Sequence, residues 1–467
     1  MRRRPGTAAI RLSTAALWAV GLGPAFFVVV VSDRRPSAPG PLPGWDYPPV
    51  EPPAAPWRVE AGQLYLLLTA ALLSGVLISR WAGPRRTPDA VGAGLAATGL
   101  AMYAGPVLSA LFGGHGGADD WRLYLAPLVV AALYAAPAVR PSRMLWRLRA
   151  VVRVYTWGSL AALAVAPGWA LTSSVIVNFR LPGLGYSRLA GLTDHPILLG
   201  TVAAAALVVE AAPLHRSRLW LLHSGAALAT LLLAQSRTAW LAAPLALLLL
   251  YRRDVPRRLH PLLGRGLIIG TAGCAALLVP ALLGGLERVV SDREVTSLHG
   301  RTEVWALAMG VFRSHVLLGY GPTLFTDHSS PVRGMYAHAH GQLHQTLATS
   351  GLVGALGLVV FVVALVLVAA RTARASAGLS WALLVLTLAT CVTEAPLRGL
   401  EFSPFLLLVL LNVTVLLTMS SSRQPRPAAA VAQAFPGPAG DARSSRSAVN
   451  SSEAAGWART SRSGSCG

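Results

Sequence analysis

Uncharged apolar stretches, each close to the length of one bilayer crossing, recur along nearly the whole chain. A hydrocarbon core about 30 Å thick needs about 20 apolar residues in a helix. Twelve stretches qualify, at 12–31, 61–79, 90–112, 123–139, 154–177, 196–212, 219–235, 238–251, 266–286, 352–370, 379–396 and 402–419. The eighth is short, at 14 residues. Charged residues make up 13% of the chain, against about 25% in a soluble domain. These features exclude a conventional soluble enzyme, a collagen-like fibre and a disordered chain. They predict an all-α polytopic membrane protein with about 12 transmembrane helices, formed by residues 1–419.

The 40 basic residues are all arginine and outnumber 19 acidic ones, for a formal charge of +21. They are dispersed between apolar segments and form no single patch, which argues against nucleic acid as a partner. Cys274, Cys391 and Cys466 have neither metal nor redox spacing. The first stretch is longer than a signal-peptide core, and Arg34-Arg35 follow it without a small-residue cleavage site, so it reads as a retained span. With both termini cytoplasmic, alternation puts 27 arginines inside and 13 outside, in keeping with the positive-inside rule.

That orientation exposes the 287–351 segment, between spans 9 and 10, on the outer face as a large loop carrying short helices. Ser32 to Glu60 forms a Pro-rich outer loop, and Asn178 to His195 a shorter one. Residues 420–467, biased toward Ser, Arg, Pro and Ala, read as a disordered cytoplasmic tail.

Three constellations carry candidate chemistry. Arg237 lies between two apolar runs, where a charge is costly and suits an anionic group on a lipid-borne substrate, or else snorkels to the interface. Arg301 and Glu303 precede an apolar stripe from Trp305 at helical spacing; a helix capped by Gly300 would put Arg301 in its first turn, where backbone N–H groups favour an anion. His338, His340 and His344 form the third set. A helix from His340 would place His340 and His344 on one face, and an imidazole titrating near neutrality can take a proton from a sugar hydroxyl. Zinc binding by the three histidines and a purely interfacial role are the alternatives.

The motif series resembles the O-antigen ligase and O-antigen polymerase superfamily of bacterial membrane glycosyltransferases. It runs Arg188-Leu189-Ala190-Gly191-Leu192 with Asp194-His195-Pro196, then Ser236-Arg237 and Gly300-Arg301-Thr302-Glu303-Val304-Trp305. Leu318-Gly319-Tyr320-Gly321-Pro322-Thr323-Leu324-Phe325 follows, then Ala339-His340 through Gln345 to Gly351-Leu352. The resemblance implies transfer of a glycan from an undecaprenyl-diphosphate donor to a glycan, lipid or protein acceptor on the outer face of the bacterial cytoplasmic membrane. It implies inversion at the anomeric centre and neither nucleotide sugar nor metal. It assigns Arg237 and Arg301 to the donor diphosphate and His340 to the base, with Arg188, Glu303, His338 and His344 in support. The chain departs from the family pattern at Gly341, His344 and Thr349.

Two rival readings remain from the residues. Asp119-Asp120 could serve a polyprenyl-phosphate-sugar glycosyltransferase, or simply cap the fourth span. Twelve spans also suit a transporter or lipid flippase, for which Glu210, His223 and Glu394 lie within or beside spans.

Overall fold

A computed structural model of the chain describes residues 7–32, 55–82, 90–114, 117–137, 139–173, 187–214, 217–251, 301–326, 330, 332, 338–398 and 404–421. The ninth apolar stretch, 287–300 of the outer loop, the Pro-rich segment 33–54 and the tail from 422 onward lie outside the described residues.

The described chain is mostly helical. Five of its helices are long and apolar enough to cross a membrane: α1 (Thr7–Phe26) with the π turn that extends it, α2 (Pro56–Ala82), α3 (Ala90–Phe112), α5 (Pro141–Val165) and α11 (Gln342–Thr372). Shorter apolar helices coincide with further predicted stretches: α4 (Leu125–Ala135), α7 (Pro196–Ala211), α8 (Trp220–Ala234), α9 (Arg237–Leu250), α12 (Leu379–Thr393) and α13 (Pro404–Ser421). At 1.5 Å per residue a 15-residue helix is only about 22 Å long. Burial within the bundle compensates for α7, which packs among α5, α8, α9, α12 and α13 and has every residue from Leu198 to Ala211 buried.

The fifth stretch is displaced from its expected range. Its arginine-rich approach reads as a loop, yet α5 begins at Pro141 and ends at Val165. Those arginines have partners inside the protein. Arg149 donates to the carbonyls of Val209 and Ala212, which α7 leaves open at its C-terminus, and to that of Leu214 just beyond it. Arg153 grips Glu210 through Nε at 2.6 Å and Nη2 at 2.8 Å. Pro167 opens the short helix α6 (Pro167–Ala170), after which β1 (Leu171–Ser173) pairs antiparallel with β2 (Ser187–Leu189), Leu171 opposite Leu189. This ribbon departs from the all-α expectation.

A splice in α11 fixes the outer segment. Gly351 has φ +61°, interrupting the helix. The amides of Leu352 and Val353, which would bond Ala348 and Thr349 in an unbroken helix, instead donate to the carbonyls of Val316 and Leu317. The freed carbonyls of Ala348 and Thr349 accept from Tyr320 and Gly321. The loop that follows α10 (Arg301–Ser314) is thereby inserted into the helical ladder, with no backbone group in the exchange left unpaired.

Asp120 caps the 3-10 turn Trp121–Tyr124, accepting from the Arg122 amide at 3.1 Å and from the Arg122 Nε at 2.7 Å. Its contacts match the capping reading of the Asp119-Asp120 pair.

A buried carboxylate at the candidate active site

Glu394 follows the last turn of α12, in extended backbone, and is 2% exposed. A carboxylate so placed needs compensating partners. Three side chains from two other segments supply them. Arg301, opening α10, places Nη2 3.0 Å from Oε1. His340 places Nδ1 3.2 Å from Oε2, and His338 places Nε2 3.4 Å from the same oxygen.

The His338–His340 turn is held in a conformation that few residues adopt. His340 has φ +48°, an uncommon backbone state outside glycine that clusters at functional sites. Its amide donates to Nδ1 of His338 at 3.1 Å, its carbonyl accepts from Nε1 of Trp305 at 3.3 Å, and the neighbouring Ala339 amide donates to Oε1 of Gln345 at 2.8 Å. The helix starts only at Gln342, so His340 and His344 do not share a helical face as the spacing suggested. His344 instead stacks on Trp305, ring centroids 4.7 Å apart, tying α11 to α10.

These bonds fix the protons. Because Nδ1 of His338 accepts from a backbone amide, its proton sits on Nε2, facing Glu394. Burial, then repulsion from Arg398, His340, Arg301 and His195, pulls the His338 pKa down to about 2, so this ring stays neutral. In the neutral tautomer that donates Nδ1–H to the Glu394 carboxylate, His340 has a lone pair on Nε2.

His338, His340 and Glu394 each offer a ligand atom, all within 4.8 Å of one another. The proton arrangement opposes a cation there. His338 would have to give up the tautomer that its backbone bond imposes, and Arg301 already holds the carboxylate. The set also differs from the three-histidine one considered from sequence, with Glu394 in place of His344.

Two further arginines adjoin the cluster. Arg237 opens α9 and is near enough to Arg301 to repel it. Arg188, on β2 and 7% exposed, donates from Nε to the Ala234 carbonyl at 3.2 Å and from Nη2 to that of Gln235 at 3.0 Å, closing the C-terminus of α8 just ahead of Arg237. Burial and then Arg237 lower its pKa to about 10. Glu303 lies exposed in the first turn of α10.

The structure thus gathers Arg188, Arg237, Arg301, His338 and His340 from segments far apart in sequence, and adds two residues. The sequence marks Glu394 only as an ionisable group beside a span, and does not single out Arg398. The signal for Glu394 was available: a lone acid at the end of an apolar stretch, within reach of an outer segment rich in Arg and His.

Residues 222–359 match the family model described as O-antigen ligase. No curated protein matches the chain. The matched segment contains Arg237, Arg301, His338, His340 and the Gly351 splice, while Arg188 and Glu394 fall outside it. This match over residues 222–359 supports the resemblance of the chain, a membrane protein, to the O-antigen ligase/polymerase superfamily of surface-polysaccharide enzymes.

Proposed function

We propose that the protein transfers a glycan from an undecaprenyl-diphosphate carrier to an acceptor hydroxyl at the outer face of the bacterial cytoplasmic membrane, with both termini in the cytoplasm. The observation carrying this reading is the contact of one buried carboxylate with both Arg301 and His340. The residue set holds a leaving-group side and an attacking side within one cluster.

On the attacking side, Nε2 of His340 accepts the proton of the acceptor hydroxyl as the oxygen bonds to the anomeric carbon. The charge that develops on the ring is stabilised through Nδ1–H by Glu394, which also keeps the productive tautomer. On the leaving side, the anomeric C–O bond breaks and its electrons pass to the lipid diphosphate. Arg301 and Arg237 meet that growing negative charge, which also relieves their mutual repulsion. Attack opposite the departing diphosphate inverts the anomeric centre. No step calls on a metal or a nucleotide sugar. Arg188 acts by holding the end of α8 and hence the start of α9.

The test is reconstitution. Purified full-length protein, a synthetic undecaprenyl-diphosphate oligosaccharide and a glycan or lipid-linked acceptor are combined in detergent, and the product is followed by mass spectrometry. Transfer should occur with a chelator present and without a second compartment, and should be lost in Arg301→Ala and His340→Ala. Transfer only with added metal, or wild-type rates in both variants, rejects the reading.

A further inference from the structure

Beside the Glu394 cluster a groove, whose empty space of about 630 Å3 includes a mouth open to solvent, lies between α3, the 322–326 turn, the first turns of α11 and the 397–398 segment. Tyr103, Phe325, Thr326, Gln345, Thr346 and Arg398 are among its lining residues. We propose that this groove binds the acceptor as a sugar residue bearing an anionic group, a carboxylate or a phosphate. The proposal deepens the transfer reading and depends on it for the word acceptor.

Five observations support it. The groove reaches the reaction centre: Gln345, in its wall, holds the Ala339 amide next to His340, and Arg398 acts electrostatically on His338. Its chemistry suits a polyhydroxylated ring, with aromatic and proline side chains as well as hydroxyl and amide groups in its lining. Among the described residues Arg398 is its one charged lining residue, so its selectivity is for an anion. The walls are also pre-organised. Gln342 accepts from the Leu397 amide at 2.8 Å and donates to the Thr346 hydroxyl at 3.0 Å, locking the 397–398 segment to α11 before any ligand arrives. Arg188, Arg237 and Arg301 do not line this groove, which keeps it separate from the diphosphate side.

The test uses the full chain in nanodiscs of neutral lipid, with methyl β-glucuronide, glucose 6-phosphate and methyl β-glucoside as probes and saturation-transfer NMR as readout. The wild type should bind at least one anionic sugar about ten-fold more tightly than the neutral one, and the preferred anion identifies the group. Arg398→Gln should erase that preference. Thr326→Trp, which fills the groove from an exposed position, should abolish binding of all three probes and keeps the test decisive if Arg398→Gln fails to fold. Equal affinity for charged and neutral sugars, absence of binding, or binding that survives Thr326→Trp overturns the proposal. So does displacement of the glucuronide by inorganic pyrophosphate, which would move Arg398 to the donor side. Probe binding requires no transfer, so a failed reconstitution and a failed groove are separate results.

Discussion

Oε2 of Glu394 lies 3.2 Å from Nδ1 of His340 while Oε1 lies 3.0 Å from Nη2 of Arg301, so a single carboxylate links the proposed base to the arginine proposed for the donor side. Its value to the reaction is orientation. Glu394→Gln preserves shape but lets an amide N–H face Nδ1, which favours the tautomer with its proton on Nε2 and removes the lone pair from the acceptor side. By analogy with other carboxylate–imidazole pairs, the turnover rate should fall about 10²- to 10⁴-fold. KM for the donor should change far less. Turnover close to wild type, in protein that still reaches the membrane, would remove Glu394 from the mechanism.

Arg301 tests the leaving-group side. Lysine can keep an ion pair with Glu394 but offers a point charge where guanidinium offers a planar fork to phosphate oxygens. Arg301→Lys should therefore insert and fold normally yet lose about 10²-fold or more in kcat/KM for the lipid-diphosphate donor, with Arg301→Ala lower still. A lysine variant with full activity would mean that charge alone matters at this position.

His338 makes a prediction about pH. Its folded pKa, near 2, lies well below the ordinary imidazole value near 6.5. The unfolded chain therefore binds a proton below about pH 6.5 that the folded protein does not, and stability drains away as pH falls, by at most about 1.4 kcal/mol per unit from this group. His338→Asn keeps an acceptor for the His340 amide and has nothing to protonate. Its thermal midpoint should fall less than that of the wild type between pH 7 and pH 5. Parallel pH curves for the two proteins would contradict the buried, neutral assignment.

What the sequence revealed followed from how local each signal is. Hydrophobic length located the five helices long enough to cross a membrane because burial in lipid is decided within one segment; Arg237 stood out between two apolar runs, and Arg301 at the head of the apolar stripe from Trp305. Misreadings arose where a distant partner changed the outcome. Arg149 and Arg153 suggested a loop because neither Glu210 nor the open carbonyls of α7 can be seen from α5. His340 and His344 suggested a helical pair because the left-handed turn at His340 depends on Trp305 and Gln345, which hold it from both sides. Glu394 went unassigned for the same reason, since its partners are 93 and 54 residues away.

The splice at Gly351 offers the sharpest structural test, because three glycines give two opposite expectations. At Gly351, φ is +61° and a Cβ would sit 2.4 Å from the carbonyl carbon and oxygen of Leu317; at Gly319, φ is +70° and a Cβ would sit 2.4 Å from the Ser350 amide nitrogen. Both clashes are with backbone, so no rotamer change relieves them. Gly351→Ala and Gly319→Ala should each break the exchange of hydrogen bonds between the 316–321 loop and α11, costing several kcal/mol and most of the folded yield. Gly310 stands exposed in α10 with nothing within 4 Å of a Cβ. Alanine there should stabilise that helix by up to about 1 kcal/mol. Size-exclusion profiles and thermal midpoints of the three variants in one detergent separate these outcomes. If Gly351→Ala gave a monodisperse peak and a wild-type midpoint, the loop could not be spliced into α11 as described, and the bond from the Tyr320 amide to the Ala348 carbonyl would need another cause.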